Sequence, residues 1–317
     1  MLWRDPGAGL HIRCNFTYLC PMTSGTLSLL PEDLETRELH AFLLGAVAPR
    51  PIAFASTVDA GGTPNLAPFS YFNVFGTNPP VLIFSPARRV RDNTVKHTLL
   101  NAEKTREVVV NMVSYEMVQQ MSLASTEYPE GVNEFEKAGF GMVPSDLVKP
   151  YRVAEAPAQF ECRVTRIMPL GEGGGSGNLI FCEVVKIHLK KNILSPPGLP
   201  DPKKMDLVAR LGGNWYSRAA AGLFEVPKPL SSLGIGVDAI PEPIRLSKVL
   251  TGNDLGRLGN VEKLPDAAEV SAFVSSDVNA RKVISARDTE ALHRRAQQYL
   301  EGGDVHTAWK LLLAGLE

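Results

Sequence analysis

The chain is poor in cysteine and histidine, with four cysteines and six histidines among 317 residues. No two cysteines stand at CxxC spacing, and no cysteine–histidine cluster has the spacing of a zinc site. So few cysteines exclude a disulfide scaffold for a chain of this length. Cys162 and Cys182 fall in apolar runs, where a free cysteine behaves as a small hydrophobic residue. This pattern favours a reduced, cytoplasmic protein.

Long apolar runs and a strong net charge are also lacking. No run approaches the roughly 20 residues that a membrane span needs. A formal net charge of −1 gives no general attraction to nucleic acid or to anionic lipid, so neither is expected as a partner. There is no Walker A or GxSxG motif, and no Ser/His/Asp set, so hydrolysis has no support. The loop GEGGGSG (171–177) leads into a strand pattern, which indicates a hairpin loop and not a phosphate loop.

The two ends of the chain differ in residue pattern from the middle. Charged residues and a proline interrupt residues 1–25, which lack the apolar segment of about 7–15 residues found in secretory signals. We expect a disordered leader there, with Met22 as an alternative start. A proline-rich stretch, SPPGLPDPKK, follows residue 194, and short helical patterns dominate from about residue 244. The predicted organisation is a leader (1–25), a main domain (26–230) and a helical extension (231–317).

The middle of the chain predicts many short elements. Helical patterns cover 32–46, 91–105 (capped by Asp92 or Asn93) and two pieces of 115–138, broken at Tyr128–Pro129. Strand patterns cover 49–58, 81–85 and 107–113, and two longer ones flank the glycine loop as a hairpin. Short strands separated by frequent turn signals predict an antiparallel barrel or sandwich.

One stretch, GGTPNLAPFSYFN (61–73), does not fit an ordinary central strand. It carries Pro64 and Pro68, and proline is confined to sheet edges, strand starts and bulges. Its small residues would let a flat ligand approach the backbone closely. We expect an irregular backbone exposed for such a ligand, with a simple turn as the alternative.

A second stretch, SPARRVRDNTVKHT (85–98), predicts an anion site. Arg88, Arg89, Arg91 and Lys96 cluster beside a predicted helix N-terminus, where free amide groups and the helix dipole favour negative charge. A solvated basic face is the alternative. Arg50, between two prolines, could hold a phosphate with its fork of donors, or lie in a surface turn.

Residues 47–113 resemble the flavin reductase-like family, the FMN-binding split barrels. The resemblance is carried by PRPIAFASTVDAGGTPNLAPFSYFN, then NPPVLIFSP, then KHTLLN and EVVVNMV. It continues loosely to about residue 190 and resumes in RLGGNWYSRAAAGLFEVPKP (210–229). It implies that 26–230 form an FMN-binding split barrel: mainly β with α additions, antiparallel, six-stranded and Greek-key. It also implies a homodimer, with FMN near the subunit interface.

The resemblance also implies a set of cofactor-binding residues. The isoalloxazine and ribityl groups are expected to contact Ser56, Thr57, Asn65, Leu66, Ala67, Pro68 and Ser70. The phosphate is expected to contact Arg50, Ser85, Lys96 and Thr98, together with His97, which stands where the family often has aspartate. Arg210 and Tyr216 are expected near the flavin, at the dimer interface or in the core, three alternatives that the sequence leaves open.

The implied activity is that of an FMN-dependent oxidoreductase. A hydride would pass from NAD(P)H to flavin N5, and electrons would then go to oxygen, free flavin or a partner enzyme. No catalytic side chain and no metal is expected, because the cofactor performs the redox chemistry.

One departure leaves other functions open. Two-component flavin reductases commonly carry a GDH motif after the hairpin loop, whereas this chain has SGNLIFCEV (176–184), with Asn178 and no histidine. The alternatives are a flavin-binding electron carrier, or FMN-holding protein, reduced by a partner protein, and a non-enzymatic protein on the same scaffold.

Overall fold

The computed structural model describes residues 25–226 and 233–316. The chain divides into two compact units after Leu223. The predicted leader lies outside the described residues except for Gly25, and so does the predicted domain boundary between 230 and 231. Across the described part, no helix has the length and apolar character that crossing a membrane would require.

The first unit is built around one large antiparallel sheet. Its strands are β1 (Ala53–Val58), β2 (Pro64–Phe69), β3 (Phe72–Thr77), β4 (Pro80–Phe84), β5 (Glu107–Asn111), β8 (Ala158–Pro169) and β9 (Asn178–Leu189). Two small hairpin sheets accompany it, formed by β6 (Met142–Val143) with β7 (Arg152–Val153) and by β10 (Val208–Arg210) with β11 (Tyr216–Arg218). The large sheet has the strand order β2–β1–β5–β8–β9–β4–β3.

This strand order makes the sheet curl into an open barrel. β2 and β3 lie at opposite edges, yet only Ser70 and Tyr71 separate them along the chain. Consecutive Cα atoms are about 3.8 Å apart, so the two edges must meet at this corner. No ladder pairs β2 with β3, so the barrel is split there, and the predicted antiparallel split barrel is confirmed. The sheet has seven strands instead of the six that the resemblance implies. The residue patterns predicted five of them, and residues 64–69 and 72–77 form the two edge strands that they did not predict.

β2 is a regular strand, so the irregular backbone predicted for 61–73 is wrong for residues 64–69. It pairs with β1 from Ala53↔Phe69 to Val58↔Pro64. Because β2 is an edge strand, Pro64 and Pro68 can turn their donor-less nitrogens away from β1. Leu66 lies two residues from each of these prolines along the strand, so its N–H also points outward, away from the sheet.

Helices α1 (Thr36–Ala46), α2 (His97–Thr105), α3 (Val118–Leu123), α4 (Glu134–Ala138) and α5 (Pro202–Met205) complete the first unit. The start predicted for α2, near residue 91, is wrong. Asn93 has φ of +56° and Asp92 Oδ1 accepts from Thr94 N at 3.0 Å, so these residues form a turn and not a helix cap. The helix begins at His97, with Lys96 at its N-cap position.

The second unit is helical, as the sequence predicts. It contains α6 (Glu242–Arg245), α7 (Gly252–Gly259), α8 (Ala267–Ser276), α9 (Val278–Ser285), α10 (Thr289–Glu301) and α11 (Val305–Ala314). Aspartate side chains cap several of these helices, for example Asp288 Oδ1, which accepts from Ala291 N at 2.9 Å. The core gathers around Trp309, whose indole N–H donates to the Leu258 carbonyl at 3.0 Å.

Candidate functional site

Four of the predicted cofactor-binding residues meet in one buried hydrogen-bond network at the β1–β2 edge. Asn65 Oδ1 accepts from Thr98 Oγ1 at 2.8 Å and from Thr57 Oγ1 at 3.3 Å. The amide of Asn65 donates to both carboxylate oxygens of Glu134 at 3.0 Å, and Leu66 N donates to Glu134 Oε2 at 2.9 Å. The network fixes the Asn65 side chain and the outward N–H of β2.

Glu134 is a site residue that the sequence did not predict. It lies in the first turn of the short helix α4, where acidic residues are common for electrostatic reasons alone. Here it is 4% exposed, and this burial raises the pKa of its carboxyl group, although the bonds from Leu66 and Asn65 favour the charged form. Because 69 residues separate it from Asn65, no local pattern could have revealed the contact.

A cluster of cations surrounds a single carboxylate next to this network. Glu127 Oε1 contacts Arg89 Nε at 2.8 Å and Lys96 Nζ at 3.5 Å, and its Oε2 contacts Arg91 Nη2 at 2.5 Å. The bond from Arg89, with that from Arg91, lowers the pKa of Glu127 to about 2. Three residues of the predicted basic cluster, Arg89, Arg91 and Lys96, therefore contact one carboxylate of the chain itself, whereas the Arg88 guanidinium binds Asn93.

The cations and the network border one small cavity. Its volume is about 40 Å³, and Glu127 lines it beside Arg89 and Lys96. Its lining includes five of the predicted cofactor-binding residues, namely Asn65, Ala67, Lys96, His97 and Thr98.

A second cavity follows β2 toward its end. It has a volume of about 170 Å³, and Pro68 and Ser70 line it together with Arg210 and Tyr216. Ser125 lines both this cavity and the small one, so the two are neighbours along the edge strand. Arg210 and Tyr216 therefore lie beside the predicted cofactor platform, which was one of the three alternatives for them.

The three remaining predicted residues carry unsatisfied polar atoms. Within the described residues, the buried side-chain atoms that lack a hydrogen-bond partner are Ser56 Oγ, Ser85 Oγ and Arg50 Nε. A buried polar atom without a partner is costly and rare, so each of these atoms is a candidate contact for a ligand. Gly177 makes room for one of them, because a Cβ there would lie 2.6 Å from Ser85 Oγ.

Arg50 is held mainly by the backbone. Its Nη1 donates to the carbonyls of Leu44 and Val47 at 2.6 and 2.5 Å, and its Nη2 donates to the Leu211 carbonyl at 3.1 Å. These bonds tie the end of α1 and the β10–β11 hairpin to the start of β1. The N–H of Nε and the second N–H of Nη2 are left for a ligand. The predicted contact between Arg50 and a phosphate stays a prediction.

We expect Arg50→Met to lower the free energy of unfolding by roughly 2–4 kcal/mol, because three part-buried carbonyls would lose their donor. Urea denaturation measures this loss. Arg88→Met is the matched control, since the Arg88 guanidinium binds only Asn93 in an exposed turn. If both variants lost the same small amount, the backbone contacts of Arg50 would not be stabilising.

The fold and this corner together define an antiparallel split barrel with a cluster of cations at the edge strand β2. The family model for the Flavin reductase like domain matches residues 45–206, which is just over half of the 317-residue chain. The chain belongs to this family, and the predicted resemblance is confirmed.

Individual relatives agree with this assignment. An uncharacterised protein of Aquifex aeolicus is 41% identical over 193 residues, covering 61% of this chain and 96% of that protein. The crystal structure of nitrilotriacetate monooxygenase component B from Bacillus cereus is 28% identical, with a TM-score of 0.60, and the match covers 64% of this chain and 100% of that one. A split barrel domain protein from Shewanella frigidimarina has the same fold, with 22% identity, a TM-score of 0.54, and coverage of 64% and 100%.

Proposed function

We propose that this protein is an FMN-binding oxidoreductase of the flavin reductase type, with NAD(P)H as its electron donor. The observation that carries the proposal is the confinement of the unpartnered buried atoms Ser56 Oγ, Ser85 Oγ and Arg50 Nε to predicted cofactor-binding residues. Family membership supports the flavin, and the charge of the anion site supports a phosphate on it. When bound, the flavin would supply the redox chemistry, accepting a hydride at N5 and passing electrons to oxygen, free flavin or a partner enzyme.

The phosphate would lie at the N-terminus of α2. Lys96 and Thr98 flank the first helical residue, and free N–H groups there favour an anion. Arg89 adds a guanidinium whose Nη1 is already oriented by the Val95 carbonyl at 2.9 Å. To admit a phosphate, Glu127 must leave the three cations that it now contacts.

The ring and ribityl chain would lie along the edge strand. Ala67 lines the small cavity, and Pro68 and Ser70 line the second, so both faces of β2 border open space. Neither a nucleophile nor an acid is needed there, since the residues have only to bind and orient the cofactor.

We propose a homodimer in the cytoplasm. Val74 and Phe75 on the edge strand β3 are 59% and 65% exposed, and an apolar edge of this kind is commonly covered by a partner. Cys162 and Cys182 are free thiols in the core, which suits a reducing compartment. The monooxygenase component B relative suggests that a partner oxygenase could use the reduced flavin.

The second candidate is a flavin-binding electron carrier reduced by another protein. It is favoured by Asn178, which stands where two-component reductases carry their motif. Its amide donates to the Pro86 carbonyl at 2.9 Å, so it has a structural role.

Anaerobic stopped-flow mixing of the FMN-loaded protein with NADH and with NADPH separates the two candidates. The reductase predicts rapid bleaching of the flavin absorbance by one of the two nucleotides. Loading with FMN but no bleaching by either nucleotide would favour the carrier.

Glu127→Gln is expected to strengthen FMN binding about fivefold, because the phosphate would no longer compete with a carboxylate worth about 1 kcal/mol at an exposed site. Riboflavin binding should not change, since riboflavin has no phosphate. Fluorescence titration measures both, with Glu130→Gln in the same loop as the control. Weaker FMN binding by Glu127→Gln would mean that Glu127 instead holds the cations in place for the ligand.

A further inference from the structure

A larger cavity adjoins the second cavity. It has a volume of about 520 Å³ and lies between residues 115–125 and the β10–β11 hairpin. This volume is within the usual range for small-molecule sites. Ser125, Arg210 and Tyr216 line both cavities, so a ligand in the larger one would reach the space next to Pro68 and Ser70.

The charge of this cavity is one-sided. Two arginines line it, Arg210 and Arg218, and no aspartate or glutamate does. Arg218 is already engaged, because its Nε and Nη2 donate to the Asp206 carboxylate at 2.8 and 2.7 Å. For the Arg210 guanidinium, the described residues supply neither an ion pair nor a hydrogen bond. One unneutralised guanidinium therefore borders the cavity.

The walls also suit a flat ring. The Arg210 guanidinium lies over Tyr216, 4.6 Å from the ring centroid, and Arg218 lies 4.0 Å from the ring centroid of Tyr115. Each pair presents a planar surface that is held by a cation–π contact. Gln119, Ser122 and Asn214 add hydrogen-bonding groups around these surfaces.

We propose that this cavity binds a planar, conjugated carboxylate and that Arg210 holds the carboxylate group. A single free guanidinium fork matches one carboxylate with two parallel hydrogen bonds, whereas the diphosphate of a dinucleotide carries two negative charges. The proposal rests on the proposed function in one respect: the shared wall would set the ligand's ring beside the flavin.

Isothermal titration with 2-naphthoate and 2-naphthamide tests the proposal, because these probes differ in charge and hardly in shape. Both the flavin-free and the FMN-loaded protein are titrated. We expect naphthoate to bind at least roughly tenfold more tightly than naphthamide in each, as charge-assisted hydrogen bonds are worth about 1.5–3 kcal/mol. Equal affinities for the two probes would overturn the proposal.

Arg210→Gln should weaken naphthoate binding roughly 10- to 100-fold and leave naphthamide binding unchanged. The matched control is Arg163→Gln, which removes one arginine from the exposed side of β8, outside the cavity lining, and should retain naphthoate affinity. Arg210→Lys keeps the charge without the fork and is expected to bind naphthoate with intermediate affinity. Full naphthoate affinity in Arg210→Gln, or a loss confined to the control, would contradict the role of Arg210.

The flavin-free titration keeps this test separate from the cofactor proposal. If FMN does not bind but naphthoate binding depends on Arg210, the proposed function fails and the carboxylate site stands. Suppose instead that FMN binds, that NADH binding requires Arg210, and that naphthoate binding does not. The carboxylate assignment then fails and the proposed function stands.

Discussion

Replacing both Arg89 and Lys96 with alanine is expected to weaken FMN binding roughly 100-fold, while riboflavin binding changes by less than about threefold. The two side chains are among those that now hold the Glu127 carboxylate, and we propose that they hold the phosphate when FMN is bound. Losing two charge-assisted contacts at one group costs about 3 kcal/mol, which gives the expected factor. Riboflavin lacks the phosphate and makes neither contact.

Fluorescence titration of the double variant with both flavins provides the measurement. Arg88→Ala with Arg163→Ala removes the same net charge from outside the cluster and serves as the control, since Arg163 is exposed on β8. The control should bind FMN normally. Equal weakening of FMN and riboflavin in the Arg89/Lys96 variant would place the phosphate elsewhere.

Glu134→Ala is expected to lower the free energy of unfolding by roughly 2–4 kcal/mol, because Asn65 Nδ2 and Leu66 N would lose their buried acceptor. It should also weaken FMN and riboflavin binding by similar factors, since Asn65 and the edge strand would serve the ribityl or ring and not the phosphate. This pattern differs from that of the Arg89/Lys96 variant.

Urea denaturation and the same two titrations test this prediction. Glu136→Ala is the matched control, because Glu136 lies in the same short helix and its carboxylate contacts only the exposed Asn133 side chain, at 3.2 Å. Glu134→Gln keeps the shape and one acceptor oxygen, so it should retain part of the stability. If Glu134→Ala were as stable as the control, the network would not hold β2.

Local patterns predicted most of the barrel. β1, β4, β5 and the β8–β9 hairpin follow from runs of β-branched and aromatic residues bounded by turn signals. β3 was not predicted, because its glycine and the neighbouring prolines are typical of loops. Only the order of strands in the sheet shows that these residues form an edge strand. The start of α2 was misplaced because Asn93 adopts a left-handed conformation. Asparagine tolerates this conformation, but an asparagine in the sequence does not predict it.

The candidate site was predicted only in part, because some of its contacts join residues that are far apart in the sequence. Motif order identified Asn65, Lys96 and Thr98, which the structure brings to one small cavity. Glu127 and Glu134 were not predicted, because each acts on residues 31 to 69 positions away, and an isolated glutamate in a turn or a first helical turn carries no local signal. Only the folded chain shows that one occupies the anion site and the other supports β2.

The central claim is that the protein binds FMN and that Lys96 and Arg89 hold its phosphate. The most direct test is a titration of flavin-free protein with FMN, monitored by flavin fluorescence, with and without inorganic phosphate. The account predicts saturable binding of one FMN per chain, weakened by phosphate as it competes for Lys96 and Arg89. A protein that binds no FMN, or that binds FMN and riboflavin equally and without regard to phosphate, would contradict it.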